Sequence, residues 1–130
     1  MPETPIAAAV PSFKRPTGWH RLWRGCGHSW AGLRAAVHGE AAFRQELAIG
    51  VPALLVAWTL APGRWAALAL TASVLLVWIV ELLNSALEAA ADAVTIQPHP
   101  LIKRAKDMAS AAVTLSLVLV ALTWAVVFWR

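Results

Sequence analysis

Two acidic residues, Glu81 and Glu88, sit with Asn84 in the long apolar run that begins at Trp65. Their spacing is i, i+3, i+7, so at 3.6 residues per turn they share one helix face. A carboxylate at membrane depth is expensive and is usually kept for a function or given a partner. Such a face can carry a catalytic base and a metal site. Glu40, Glu46, Asp92 and Asp107 add four carboxylates at one boundary of the apolar segments, with Lys106 and several arginines around them. Closely placed carboxylates repel unless a cation or a proton intervenes. Mg²⁺ is the natural match for carboxylate and phosphate oxygens. A lysine is a good point charge for phosphates. A deeper carboxylate could accept a proton from a lipid hydroxyl near the headgroups. The set fits phosphoryl transfer from a water-soluble nucleotide to a lipid alcohol, in which the protein mainly positions reactants and offsets charge.

A second reading stays open from the residues alone. The chain has no Gly-rich phosphate loop and no kinase catalytic loop. Buried glutamates also serve cation-coupled transport, and the eight tryptophans could line the chamber of a small multidrug exporter. The boundary rich in both acids and bases argues for the phosphate chemistry, because a transporter needs no phosphate-binding lysine.

The elements that must position these groups are apolar helices. Hydrophobic residues make up 59% of the 130 and charged residues only 14%, against about a quarter in soluble domains. Uncharged stretches run over 47–63, 65–80 and 108–129. The last is long enough to cross roughly 30 Å of hydrocarbon, and helices can extend the other two past Glu46, Arg64 and Glu81. The expected fold is an all-α membrane protein with spans over about 46–62, 65–90 and 105–129. Ahead of them, Trp19, Leu22, Trp23, Cys26, Trp30, Leu33 and Val37 recur in steps of three and four. Arg21, Arg24, His28 and Arg34 interleave with them. That pattern predicts an amphipathic surface helix over about 19–45, lying at the interface. Glu40 and Arg44 are i, i+4 and can pair. Residues 1–18 hold Pro2, Pro5, Pro11 and Pro16. They read as a flexible tail rather than a cleavable signal, leaving 19–130 as one integral-membrane domain.

Six of the eleven Lys and Arg residues precede the first span, and Lys103, Arg104 and Lys106 follow the second. The positive-inside rule then places the N-terminus and the second loop in the cytoplasm and the C-terminus outside. The net charge of +4 suits anionic headgroups, not a nucleic-acid partner. A single cysteine, Cys26, leaves no internal disulfide partner. His20, His28 and His38 are spread along the surface helix and make a poor zinc site.

Four ordered segments resemble the small prokaryotic integral-membrane diacylglycerol kinases. They run from Gly27 through Ser29, Trp30 and Arg34 to Ala36, from Glu40 to Glu46, from Glu81 through Asn84 to Ala89, and from Arg104 through Lys106, Asp107 and Ser110 to Val113. The resemblance covers about 21–129. It implies a surface helix and three transmembrane helices in a homotrimer, with active sites shared between subunits near the cytoplasmic face of a bacterial inner membrane. It implies that MgATP and diacylglycerol give phosphatidic acid and ADP. By the same resemblance, Glu81 matches the catalytic base and Asn84 shapes the site. Glu40 and Glu88 match the Mg²⁺-binding carboxylates, and Lys106 matches the contact to the ATP phosphates. Asp107 and Glu46 match polar residues that organise the site. Arg21, Ser29, Trp30, Arg44 and Ser110 match residues near lipid or phosphate, and Asp92 and His99 match the nucleotide side. Gly39 stands where the family often has Asn, and Gln97-Pro98 replaces a more acidic, aromatic loop. A sibling function, undecaprenol kinase, shares the fold and the phosphate machinery.

Glu88→Gln is expected to weaken the Mg²⁺ dependence of turnover more than the affinity for lipid. A Mg²⁺ titration identical to the parent's would refute the metal role.

Overall fold

A computed structural model describes residues 18–129, with the side chains of His20, Arg21 and Leu22 excepted. The expected tail therefore lies outside the described residues, apart from Gly18. Gly18 has φ +70° and turns the chain into the first helix, a conformation glycine adopts at little cost. Four helices follow: α1, Trp19–Gly39; α2, Ala41–Leu60; α3, Arg64–Val94; and α4, Pro100–Phe128. No strand occurs among the described residues. The chain divides into two units at Gly32/Leu33, within α1. In the first unit Trp19, Trp23 and Trp30 are largely exposed.

The second unit is built on α3, which packs against both α2 and α4. The α2–α3 connection is only Ala61-Pro62-Gly63, so the two helices run antiparallel. Ala61 ends α2 with ψ 142°, the extended geometry that a following proline requires. The α3–α4 connection is closed by local bonds. The Thr95 hydroxyl accepts from Gln97 N–H at 2.9 Å. His99 caps α4 by accepting from Leu101 N–H at its Nδ1, with Pro100 just inside the helix. A proline in the first turn sacrifices no helical bond. Pro52 sits inside α2, which runs through it unbroken.

All three helices of this unit are long and apolar enough to cross a membrane. Many large apolar side chains lie open on them, among them Ile49, Leu55, Leu115 and Val126. An aqueous monomer does not tolerate apolar exposure on that scale, and the chain is a membrane protein. Most hydroxyls along the spans bond within their own helices. Ser73 donates to Leu70 O at 2.7 Å, Thr71 to Ala67 O at 2.8 Å and Ser116 to Val113 O at 2.7 Å. Lipid offers no water to satisfy them otherwise.

Small residues set the α2–α3 distance. Ala57 on α2 and Ala67 on α3 are buried, as are Leu70, Val74 and Val77 on α3. Gly50 takes the indole of Trp78: a Cβ at Gly50 would stand 2.6 Å from Trp78 Cζ2. The helix boundary near Glu40 differs from the sequence expectation. The surface helix stops at Gly39, and Glu40 is extended at φ −103°, ψ 115°. The Glu40–Arg44 pair does not form among the described residues. Arg44 Nη1 instead donates to the carbonyls of Val37 and His38, each at 3.3 Å.

Leu70 has no exposed surface. Leu70→Ala is expected to cost about 2 kcal/mol or more by leaving a void, read as a lower thermal midpoint in detergent. An unchanged midpoint would show that the seam closes over the gap.

Candidate active site

The polar residues gather at one end of the bundle because of the antiparallel connections. The end of α3 and the starts of α2 and α4 lie together there. Trp58, Trp65 and Trp129 are exposed near the opposite ends of their helices, as expected of an interfacial aromatic belt. α3 has 31 residues and extends about 46 Å at 1.5 Å per residue, against a hydrocarbon core of roughly 30 Å. Counted from Trp65, the far boundary falls about 20 residues on, in the mid-eighties. Glu81 then lies about one turn inside it and Glu88 about one turn outside.

Glu81 is 5% exposed, the most buried charged side chain among the described residues. One turn on, Asn84 Nδ2 donates to Glu88 Oε1 at 3.3 Å, while Asn84 Oδ1 is buried without a partner. Glu46 faces the same region from α2, its Oε2 also buried without a partner. Glu81 lies within electrostatic reach of Glu40, Glu46 and Glu88. The structure thus draws carboxylates from the α1–α2 break, from α2 and from α3 into one acidic region.

A second polar cluster flanks it. Lys106 on α4 pairs with Asp92 on α3, Nζ to Oδ1 at 2.6 Å, and also feels the charge of Glu88. Asp107 pairs with Lys103 at 2.6 Å, not with its neighbour Lys106. These residues border a cavity of about 630 Å³ at the α3–α4 loop, with Gln97 and His99 on its wall. A second, apolar cavity of about 300 Å³ opens beside Glu46, between Gly50, Val77, Trp78, Val120 and Trp124.

The remaining sequence candidates are placed less directly. Ser110 is exposed on α4 one turn past Lys106, and its carbonyl accepts from the Thr114 hydroxyl at 3.2 Å. In the first unit, the Ser29 hydroxyl donates to Gly25 O at 3.0 Å and Trp30 is 70% exposed. The side chain of Arg21 lies outside the described residues.

Comparison with known proteins decides among the readings. The family model described as prokaryotic diacylglycerol kinase matches residues 27–128. The chain belongs to the prokaryotic diacylglycerol kinase family. A diacylglycerol kinase of Pseudomonas aeruginosa is 46% identical over 115 residues, covering 88% of this chain and 94% of the relative. One from Escherichia coli K12 is 44% identical over 113 residues, covering 87% and 93%. One from Haemophilus influenzae is 34% identical over 110 residues, covering 85% and 93%. Membership displaces the exporter reading of the buried glutamates.

Kinase chemistry calls for a divalent ion held by hard oxygen donors. Among the described residues no three His, Cys, Asp or Glu side chains converge as a complete cage. Mg²⁺ does not require one. It keeps several waters and takes one or two carboxylates together with substrate phosphates. Glu40 and Glu88, with the free Asn84 Oδ1 beside Glu88, are all hard oxygen donors, so the residues present fit the ion.

Two participants were not singled out in the sequence. Trp78 Nε1 donates to the Glu46 carbonyl at 3.3 Å, and Gly50 makes the room for its ring. The available signal was that Trp78 stands one turn before Glu81 on the same helix face.

Proposed function

We propose that the chain is an ATP-dependent lipid kinase that transfers the γ-phosphate of MgATP to the hydroxyl of diacylglycerol, giving phosphatidic acid and ADP. Membership of the family supports the enzyme class. The observation that carries the mechanism is the burial of Glu81 on α3, one turn before the bonded pair Asn84 and Glu88; by helix length it falls about one turn inside the hydrocarbon boundary.

Glu81 takes the proton from the lipid hydroxyl as that oxygen bonds to the γ-phosphorus. The bond from phosphorus to the bridging oxygen breaks, and ADP leaves. Burial among other carboxylates suits Glu81 to a proton-accepting task that an exposed acid performs poorly. Glu40 and Glu88 would hold Mg²⁺, which would offset the charge of the phosphates. Lys106 contacts the phosphates, exchanging the Asp92 carboxylate for a phosphate oxygen. Asp92, His99 and Asp107 form the nucleotide side around the loop cavity. Glu46 and Ser110 border the lipid side, where the apolar cavity beside Glu46 has room for part of an acyl chain. Arg21, Ser29, Trp30 and Arg44 meet the headgroup region.

The nucleotide is cytoplasmic, so the N-terminus and the α3–α4 loop face the cytoplasm and the C-terminus faces outward. The excess of Lys and Arg at those segments supports this orientation. The chain assembles as a homotrimer with sites shared between subunits. The family resemblance supports the trimer, and the alanine-rich stretches of α3 and α4 permit the close helix packing it needs in lipid.

The direct test is Mg²⁺-dependent transfer of labelled γ-phosphate from ATP in lipid micelles, with diacylglycerol and undecaprenol side by side. Product with diacylglycerol is expected. Preference for undecaprenol would keep the site and reassign the substrate, and transfer to neither would overturn the reading. Glu81→Gln is expected to retain nucleotide binding and to lower turnover at least a hundredfold, on the order of a lost general base. Near-normal turnover in purified protein would sink the base assignment.

A further inference from the structure

We propose that Trp78 is a positioning residue for the transfer: its indole fixes the register of α2 against α3 that holds Glu46 level with Glu81. The inference rests on the kinase reading above.

The observation is a bond between two spans. Trp78 Nε1 on α3 donates to the Glu46 carbonyl on α2 at 3.3 Å. Among the described residues it is the only side-chain hydrogen bond joining α2 to α3. A carbonyl already used in the helix ladder can accept it, because each carbonyl oxygen has two lone pairs. The ring is seated as well as bonded. It fills the notch at Gly50, one turn further along α2, where Trp78 Nε1 would lie 3.0 Å from an added Cβ. The bond and the notch are thus two contacts of one indole with successive turns of one helix.

The chemical consequence comes from what Glu46 lacks. Its Oε2 is buried without a hydrogen-bond partner, so the position of that oxygen follows from the backbone that carries it. The indole bonds that backbone at residue 46 itself. On α3, Trp78 is one turn from Glu81 and on the same face. One side chain therefore ties the Glu46 main chain to the turn that presents Glu81. Apolar helices in lipid gain little from one register over another. Slipping α2 by one turn, about 5.4 Å, would set a side chain, Ala53 or Glu46, where Gly50 now admits the ring, so the indole could no longer approach the α2 main chain closely enough to bond it. An unpaired indole N–H in hydrocarbon is costly, so the register is held.

The test separates register from mere stability. Four full-length proteins are compared in lipid micelles: the parent, Trp78→Phe, Gly50→Ala and the double variant. Trp58→Phe, at the far end of α2, serves as the control. Trp78→Phe removes the N–H and the outer ring atoms. Its kcat with diacylglycerol is expected to fall about tenfold, as small misplacements of reacting groups do. Its KM for MgATP and its nucleotide-binding stoichiometry are expected to match the parent's. Gly50→Ala alone is expected to lower the thermal midpoint, because the new methyl meets the indole. The double variant is expected to recover the midpoint, since phenyl leaves room for the methyl, yet to keep the low kcat of Trp78→Phe. Parent-like kcat in Trp78→Phe overturns the proposal, and so does a double variant whose kcat recovers with its stability. If neither Trp78 variant folds, Trp78 is a folding residue and the proposal falls. A parent that transfers no phosphate overturns the kinase reading before any variant is compared.

Discussion

Apolar side chains cannot tell a helix in lipid how far to slide along its neighbour. Lipid tails are as apolar as leucine, so packing, small residues and the few polar bonds must choose the register. This chain spends most of its polar groups in the spans on their own helices, as Ser73, Thr71 and Ser116 show. Among the described residues, two side-chain bonds join different spans. Trp78 reaches Glu46 within the α2–α3 seam, and Lys106 reaches Asp92 at the polar end of α3 and α4. They differ in strength for a physical reason. The ion pair is open to solvent, where such pairs contribute little to stability, and it can yield to a phosphate. The indole bond is part-buried and is backed by a glycine notch, so it suits a permanent constraint.

The spans were legible because hydropathy alone sets them. Long uncharged runs and short Pro/Gly connections leave few alternatives to antiparallel helices, and the acidic face of α3 follows from spacing. Side-chain partners were less legible, and the reason is local geometry. Glu40 and Arg44 have the spacing of a helical pair, but spacing assumes an unbroken helix. The chain becomes extended at Glu40, so Arg44 meets the free carbonyls at the end of α1. Lysines and arginines commonly serve that role at helix C-termini. Asp107 likewise pairs with Lys103 one turn back, not with adjacent Lys106, because neighbours in sequence point about 100° apart on a helix.

The contact of Lys106 with Asp92 belongs to another class. Fourteen residues separate them, and only the return path of the loop brings them together. That path depends on the Thr95 turn and the His99 cap, which are weak signals in isolation. The Trp78–Gly50 seat was hidden for a different reason. In a chain with eight tryptophans, an indole within a span reads as a lipid anchor. A glycine within an apolar helix reads as one of many small residues. Only their opposition across the seam gives either one a specific meaning.

The length of α3 connects these features to chemistry. A helix just long enough to span would put Glu81 near the headgroups and leave nothing beyond it. With 31 residues, α3 carries Glu88 and Asp92 roughly one to two turns past the boundary. One rigid rod thus carries a buried carboxylate, Glu81, a half-buried one, Glu88, and an exposed one, Asp92, in succession along its length. A lipid hydroxyl and a nucleotide phosphate come from those two phases and cannot both be moved far. The helix itself fixes the distance between the groups that meet them. Rotation and axial slip of the neighbouring helices are then the remaining freedoms. Slip along α2 shifts Glu46 relative to Glu81, whereas slip along α4 shifts Lys106 relative to Glu88. Because the α4 contact is an exposed ion pair and the α2 contact a seated indole, the proposed phosphate side of the site has the freer partner, while the proposed lipid side is the more firmly held.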